Sequence, residues 1–439
     1  MSGRWRTGRT QELIGQEEEK MTRMKSIGAA FAAVLLSSVA AHAGDVRIMW
    51  YSDGGEGEVI KDLLSRFSKA NPDVNVILDE VSYDVVKEQL PVQLEAGQGP
   101  DIARVTNLKA PAQHWLDLRP LLADAKYWDD NFGAQADWMR PDGSNAITGF
   151  MTQLTLTGGF VNKTLFEQAG VEIPGPKATW DDWAAAAKKV ADSQKVFAMA
   201  IDRSGHRVSG PNISYGANYI AADGKPAPID QGAKDFLSRF VKWNEDGTIN
   251  KDVWVSAAGT TYRSAAEDFI NGGLAYLYSG SWQVSGFAQK IGDNFDWVMA
   301  GSPCGSVACS GMQGGAGLVA VKYTKNPKDV AKVMDYLAGA DVQKEFAERS
   351  LFIPAHKGVA AGQMDFKTDN PHVQAALKAF VEAAGQTAAP AMKLPGWKWS
   401  DAYYSAIVAR ISQVIAGEMK LDDAYARIDE DIKAKVAGN

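Results

Sequence analysis

The 439-residue chain has only two cysteines and five histidines, and it nowhere carries a run of five Lys or Arg residues. Each scarcity excludes something. Cys304 and Cys309 have no histidine beside them, which makes a poor metal site. With 46 Lys+Arg against 53 Asp+Glu and no basic run, the chain offers no electrostatic route to nucleic acid or to an anionic membrane. Past residue 43 no stretch approaches the roughly 18 unbroken apolar residues of a membrane-spanning helix. There is no G-x-S-x-G elbow, no H-E-x-x-H and no Walker loop. Gly55-Glu56-Gly57 and Gly97-Gln98-Gly99 start like dinucleotide fingerprints, but Ile60 and Ile102 stand where the third glycine belongs, so both read as turns. His114, His206, His356 and His372 lie far apart without partners at metal spacing, and each reads as surface or satisfied structure. No cofactor, metal or catalytic residue is assigned, although the plentiful carboxylates leave a glycosidase pair open, since its geometry is invisible in spacing.

What is present begins with a leader. Arg23, Met24 and Lys25 precede the apolar run of residues 27–39, which ends at Ala41-His42-Ala43. These are the basic, apolar and small-residue parts of a secretory signal peptide, with cleavage expected after Ala43 and a periplasmic destination. No cysteine follows the run, so no lipid anchor is expected there, and translation from Met21 or Met24 would dispense with the polar residues before it. Removing the six Lys/Arg and four Glu of residues 1–43 takes the formal net charge from −7 to −9. In an exported chain Cys304 and Cys309 read as a disulfide-closed loop, two free thiols being the alternative.

The length and the 46% apolar content predict two domains. Residues 46–51 read as a strand, Ser52 to Gly57 as a loop, and Ile60, Leu63, Leu64 and Phe67 recur at helical spacing until Asn71-Pro72 stops the helix. A strand at 74–78, a helix over 85–96, the turn 97–100 and a strand at 101–105 continue the alternation of an α/β sheet, where ligands sit beyond the carboxyl ends of strands. Residues 149–162 have the glycine and β-branched content of a strand pair crossing between domains. Thr179 is the expected N-cap of a helix with Asp181 and Asp182 in its first turn, and Tyr404 to Ile415 is helical up to Gly417. No repeat or low-complexity linker separates the parts, so the two domains are expected to be interwoven.

Several tryptophans fall in loop-like surroundings, among them Trp282 in Ser279-Gly280-Ser281-Trp282-Gln283, and Trp397 and Trp399 beside Pro395 and Gly396. A flat aromatic face with polar neighbours suits the C–H face and hydroxyl rim of a sugar, although each aromatic taken alone reads first as core packing.

The whole chain past the leader resembles the extracellular solute-binding proteins of family 1, the maltose-binding-protein-like group. The markers are Trp50-Tyr51-Ser52-Asp53-Gly54-Gly55-Glu56, Asn71-Pro72-Asp73-Val74, Gly99-Pro100-Asp101-Ile102, the segment 160–166 followed by Gly170 and Thr179-Trp180-Asp181-Asp182, and Phe269-Ile270-Asn271-Gly272 leading to Gly280-Ser281-Trp282. The resemblance implies a two-lobed, type II-like clamshell that acts without chemistry of its own as the binding component of an ABC importer. Its implied partners are a sugar or small oligosaccharide and the membrane permease subunits, and it is implied to be a monomer. The expected lobes are 44–152 with 303–354 and 153–302 with 355–439, the chain crossing near 152–158, 302–310 and Pro354. By matching positions, Ser52, Asp53, Gly54, Gly55 and Glu56 line the first-lobe side of the cleft, and Arg104, Thr106 and Asn107 form another edge. Gln153 and Thr155 lie in the crossing segment, Trp282 is the second-lobe stacking platform, Gly314 and Gly315 are the close-backbone segment, and Trp399 and Tyr404 bring further aromatics.

Where the maltose-binding protein has a Trp and an Asp after its Gly-Pro-Asp, this chain has Val105 and Leu108, a departure from a strict maltodextrin site. Arg104, Arg203, Arg207 and Arg349 leave open an anionic glycoside or a glycerol phosphodiester, each reading singly as a solvated or ion-paired residue. A secreted glycoside-acting enzyme is the alternative from another class.

Overall fold

The computed structural model describes residues 44–255, 264–384 and 386–437, so the expected leader and its cleavage point lie outside the described residues. The chain opens with β1 (Asp45–Trp50), α1 (Glu56–Ala70), β2 (Asn75–Glu80), α2 (Tyr83–Glu95), β3 (Ile102–Val105) and α3 (Ala125–Ala136). A long strand, β4 (Gly149–Asn162), leads to α4 (Lys163–Ala169), α5 (Trp180–Gln194), β5 (Phe197–Ile201), α6 (Gly205–Ser214), α7 (Gln231–Glu245), α8 (Asp252–Val255) and α9 (Ala266–Ile270). Next come β6 (Leu274–Gly280), α10 (Gln283–Lys290), β7 (Trp297–Met299), β8 (Gln313–Ala320), α11 (Pro327–Ala338), α12 (Ala340–Ser350) and α13 (Lys357–Ala360). The last described helices are α14 (Pro371–Ala384), α15 (Ala389–Lys393), α16 (Ser400–Ile415) and α17 (Leu421–Ala437).

Local chemistry explains the boundaries. Ile60, Leu63, Leu64 and Phe67 of α1 are buried, as their spacing requires, and Ser82 accepts from the Val85 N–H to start α2. Thr179 and Asp182 form a reciprocal capping box on α5, and Gly170 stops α4 in the left-handed region with φ 62°.

The strands run in the order β2-β1-β3-β8-β4-β6-β5, with β7 also paired to β4. The expected strand pair over 149–162 is instead one continuous strand. Its first half pairs with β8 and its second half with β6 and β7, so one strand carries register in both lobes. The first-lobe sheet packs one apolar cluster on each face, one around Trp50, Phe67 and Leu337 and one around Leu90, Trp115 and Val319. The second lobe has a single large cluster around Phe160, Trp180, Phe240 and Ile407.

These cores locate the crossings. On β4, Met151 belongs to a first-lobe cluster and Leu156 to the second-lobe core; Met312, just before β8, and Ala316 on it mark the opposite passage. The second crossing is thus at 313–315, past the expected 302–310. The bonded pair Cys304–Cys309 lies with the second lobe: Cys304 N–H donates to Ala178 O (2.9 Å), and Val307 N–H donates to Ser214 O (2.9 Å). Residue 303 therefore does not begin a first-lobe segment. The third passage begins near Pro354 as expected but is not a single step. Ile353 O accepts from Leu154 N–H at 2.9 Å, but His356 still packs on Tyr127 and Phe132 of the first lobe, and Asp365 N–H is held by Glu348. Leu351 and Ile353 are already buried in the second-lobe core, and after the return to the first lobe at His356 the chain rejoins that core through Phe366 and then Val373 of α14. Among the described residues, no helix is long and apolar enough to cross a membrane.

Candidate functional site at the seam between the lobes

On the first-lobe side, the loop from Tyr51 to Gly55 joins β1 to the start of α1. The Glu56 carboxylate folds back to accept from Asp53 N–H (2.5 Å) and Gly54 N–H (2.8 Å). Arg104, projecting from β3, donates to Glu56 Oε1 (3.2 Å), to Asp53 Oδ2 (3.1 Å) and to the Tyr51 carbonyl. Its guanidinium lies over the rings of Tyr51 (4.2 Å) and Trp50 (4.9 Å). Glu56 and Arg104 are both fully buried, so they build the loop from beneath and present no face to a ligand, a correction to their expected contact role. Burial pushes the Glu56 carboxyl up and Arg104 pulls it back, while the surrounding acids hold the guanidinium charged. Ser52, Asp53 and Gly54 remain exposed at the surface of the loop. Thr106 and Asn107 are exposed, with Thr106 Oγ1 2.8 Å from Tyr83 Oη.

The seam itself is made by β4 and β8, where Gln153 faces Ala316 and Thr155 faces Gly314. Gln153 and Thr155 are buried there. Gly315 has φ 150°, and a Cβ on it would collide with the Gln153 carbonyl, so only glycine fits. A Cβ on Gly314 would lie 3.2 Å from both His206 Nε2 and Thr155 Oγ1, so this position lets α6 come close to the seam.

The second-lobe side gathers residues distant in sequence. His206 Nε2 is 3.1 Å from Gln313 O, a carbonyl that can only accept, so the proton sits on Nε2 and the bare Nδ1 accepts from Arg207 Nη1 at 3.1 Å. Burial, and then the neighbouring Arg207 charge, lower the His206 pKa to about 3, so the ring is neutral. Asp202 is fully buried and accepts from Ser279 Oγ (2.7 Å) and Ala265 N–H (3.0 Å), with Arg207 3.8 Å away. Burial raises its carboxyl and Arg207 opposes the rise.

Arg207 also lies 4.1 Å from the ring of Trp282, and a Cβ on Gly280 would run into that indole. Trp282 is therefore held between a glycine and a guanidinium at the point where Ser281 N–H donates to Leu156 O of β4 (3.0 Å). Tyr404 stands edge-on to His206 at 5.8 Å, and its buried hydroxyl has no hydrogen-bond partner among the described residues.

Of the remaining expected residues, Trp399 and Trp397 are packed into the second-lobe core, which corrects the placing of Trp399 at the cleft. Arg349 is bound to Asp62 and Glu345 on the first-lobe surface, and Arg203 donates to Trp254 O and Ser412 Oγ. Sequence reasoning missed His206, Asp202 and Ser279 as site members, because their partners come from segments up to about a hundred residues away. Among the described residues, no cluster of three or more His, Cys, Asp or Glu could hold a metal ion.

Comparison with known proteins agrees with this architecture. A binding protein of Brucella abortus (strain 2308) is 24% identical over 388 residues, 83% of this chain and 88% of its own length. The maltodextrin-binding protein MdxE of Bacillus subtilis (strain 168) is 25% identical over 396 residues, 86% of this chain and 88% of MdxE. Among solved structures, the ABC substrate-binding protein Lmo0181 of Listeria monocytogenes, in complex with cycloalternan, superposes with a TM-score of 0.75 at 18% identity, over 90% of this chain and 99% of that one. The family described as bacterial extracellular solute-binding protein matches residues 51–344, two lobes and seam together, and this chain belongs to that family.

Proposed function

We propose that this chain is the substrate-binding component of an ABC importer, which captures a sugar or small oligosaccharide between its lobes and delivers it to membrane permease subunits. The observation that carries the reading is the placing of Trp282. Every other described tryptophan packs into one of the three apolar cores, and Trp282 alone lies outside them, at the seam. An indole kept out of the cores, buried at the seam against Arg207 and followed by Gln283, supplies a flat apolar ring with polar neighbours, the chemistry a pyranose requires. The names of the Bacillus and Listeria proteins, one a maltodextrin-binding protein and one solved with cycloalternan, support the same ligand class.

The chain works as an exported monomer without chemistry of its own. The buried carboxylates beside the seam, Glu56 and Asp202, are both committed to backbone and side-chain donors, which is the arrangement of a scaffold and not of an acid/base pair. An anionic ligand has less support, since Arg104, Arg207 and Arg349 all face carboxylates.

A thermal-shift screen of the protein without its leader, over neutral and acidic glycosides and glycerol phosphodiesters, tests the proposal. A rise in melting temperature with a neutral oligosaccharide and no product release is the expected result. Hydrolysis would sink the receptor reading, and a response to acidic ligands alone would sink the neutral-sugar one.

A further inference from the structure

Gly54 and Gly55 are consecutive glycines whose backbones need no glycine. Gly55 has φ −83° and ψ −1°, an ordinary right-handed conformation, and Gly54 is not among the residues of positive φ. Other parts of the loop do not demand them either, because the Glu56 carboxylate that organises it takes only backbone N–H groups, which any residue supplies. What stands against them is the other lobe. A Cβ on Gly54 would lie 3.2 Å from both Cβ and Oγ of Ser285, and one on Gly55 would lie 3.0 Å from Gln289 Nε2. Ser285 and Gln289 are both on α10, whose Val284 and Phe287 are anchored in the second-lobe core.

We infer that Gly54 and Gly55 form the closing contact of the two lobes: a side-chain-free edge of the first lobe that seats directly on α10. The absence of side chains sets how near the lobes come, and with it the space left for ligand at the seam. Two further observations fit this role. The loop is rigidly held from below by the buried Glu56–Arg104 pair, so it meets α10 as a preformed edge. Helix α10 starts one residue after Trp282, so whatever stops the loop on Ser285 also sets the approach of the first lobe to the indole. The contact further bounds the ligand: where even a Cβ on Gly54 would stand only 3.2 Å from the Ser285 Cβ there is no room for a sugar ring between the loop and α10, so the ligand lies on the side of β4 and β8. The ligand consequence rests on the proposed sugar site; the contact itself does not.

The test is a cross-link made without reference to any ligand. In a Gly54→Cys/Ser285→Cys protein, with the native Cys304–Cys309 pair retained, the two Cβ atoms would stand 3.2 Å apart, so a shift of a few tenths of an ångström brings them into the roughly 3.5–4.5 Å range of a disulfide. Mild oxidation is expected to consume both, read as loss of two alkylation adducts by mass spectrometry and as one 54–285 peptide linkage on mapping, while each single variant keeps its thiol. A Gly55→Cys/Ser285→Cys protein serves as a second pair, and far-ultraviolet circular dichroism of the reduced proteins checks their fold. Both pairs remaining fully alkylatable in folded protein, with and without 5 mM maltotriose (roughly a thousandfold above micromolar affinity), would overturn the inference. Cross-linking in a protein that responds to no glycoside would leave the contact standing and remove the sugar reading.

Discussion

His206 carries the clearest single-residue consequence of the structure. Its neutral ring bridges Gln313 O and Arg207, and its folded pKa is lowered to about 3, against about 6.5 in an unfolded chain. Below pH 6.5 the unfolded chain takes up a proton that the folded one refuses, so stability falls as the pH drops, and above 6.5 the group has no effect. Between pH 6.5 and 5 the loss approaches on the order of 2 kcal/mol. Urea denaturation at pH 7 and pH 5 should show a steeper loss in the natural protein than in His206→Gln; His356, lowered by its own burial, contributes to both and cancels. Equal slopes would refute the assignment. For Trp282→Ala the expectation is the reverse balance: binding of a responsive glycoside weakened at least about tenfold, because stacking on an aromatic face is worth roughly 2 kcal/mol. Stability should fall by less than the roughly 3–5 kcal/mol typical of a core tryptophan, for which Trp254→Ala is the internal comparison. Calorimetric titration beside denaturation separates the two. That Trp282 lies outside the apolar cores was legible because small and polar neighbours make poor packing for an indole. His206 was not, since an isolated histidine shows nothing of a carbonyl brought to it by a strand over a hundred residues later.

At the scale of elements, the parts whose cause is local were legible and the parts whose cause is tertiary were not. The capping box of Thr179 and Asp182, the buried stripe of α1 and the stop near Gly417 follow from spacing that any window reveals. That residues 149–162 form one strand and not two depends on β8, β6 and β7 arriving to pair along its length, and the turn-like Gly158-Gly159 inside it is there for another reason. A Cβ on Gly159 would strike the Tyr276 ring, so the glycine admits close packing within a straight strand. The adjacent pair Gly314-Gly315 on β8 separates these causes experimentally. Gly315→Ala puts a side chain at φ 150° against the Gln153 carbonyl and should cost at least roughly 1–3 kcal/mol. Gly314→Ala meets only side-chain atoms at 3.2 Å and should cost clearly less, while shifting His206. Chemical denaturation ranks the two, and the opposite order would contradict the backbone assigned to β8.

For the whole molecule, the interweaving of the lobes follows from composition only in outline, and its consequence for folding follows from where the second-lobe core gets its residues. Phe160, Trp180, Phe240 and Tyr278 come from the middle of the chain, but Met312 arrives just before the strand returning to the first lobe, and Phe380, Ile407, Ile411 and Ile428 arrive from the last helices. The second boundary expected from resemblance missed by several residues because the disulfide loop sits on α5 and α6, and the third is not a clean boundary because the chain touches the second-lobe core at Leu351 and Ile353 and α13 then returns against α3. A fragment of residues 153–302 holds every strand that builds the second-lobe half of the sheet, yet lacks the helices that cover one side of its core. Exposing that much apolar surface removes about 25 cal/mol per Å² of stabilisation, more than the typical margin of roughly 5–15 kcal/mol can absorb once several buried helices are gone. The fragment should therefore show secondary structure by far-ultraviolet circular dichroism but no near-ultraviolet signal and no cooperative urea transition, and adding back residues 303–437 in the same chain should restore all three. A cooperative transition in the isolated fragment would mean that the lobe folds on its own, and that the crossings serve only to connect the lobes.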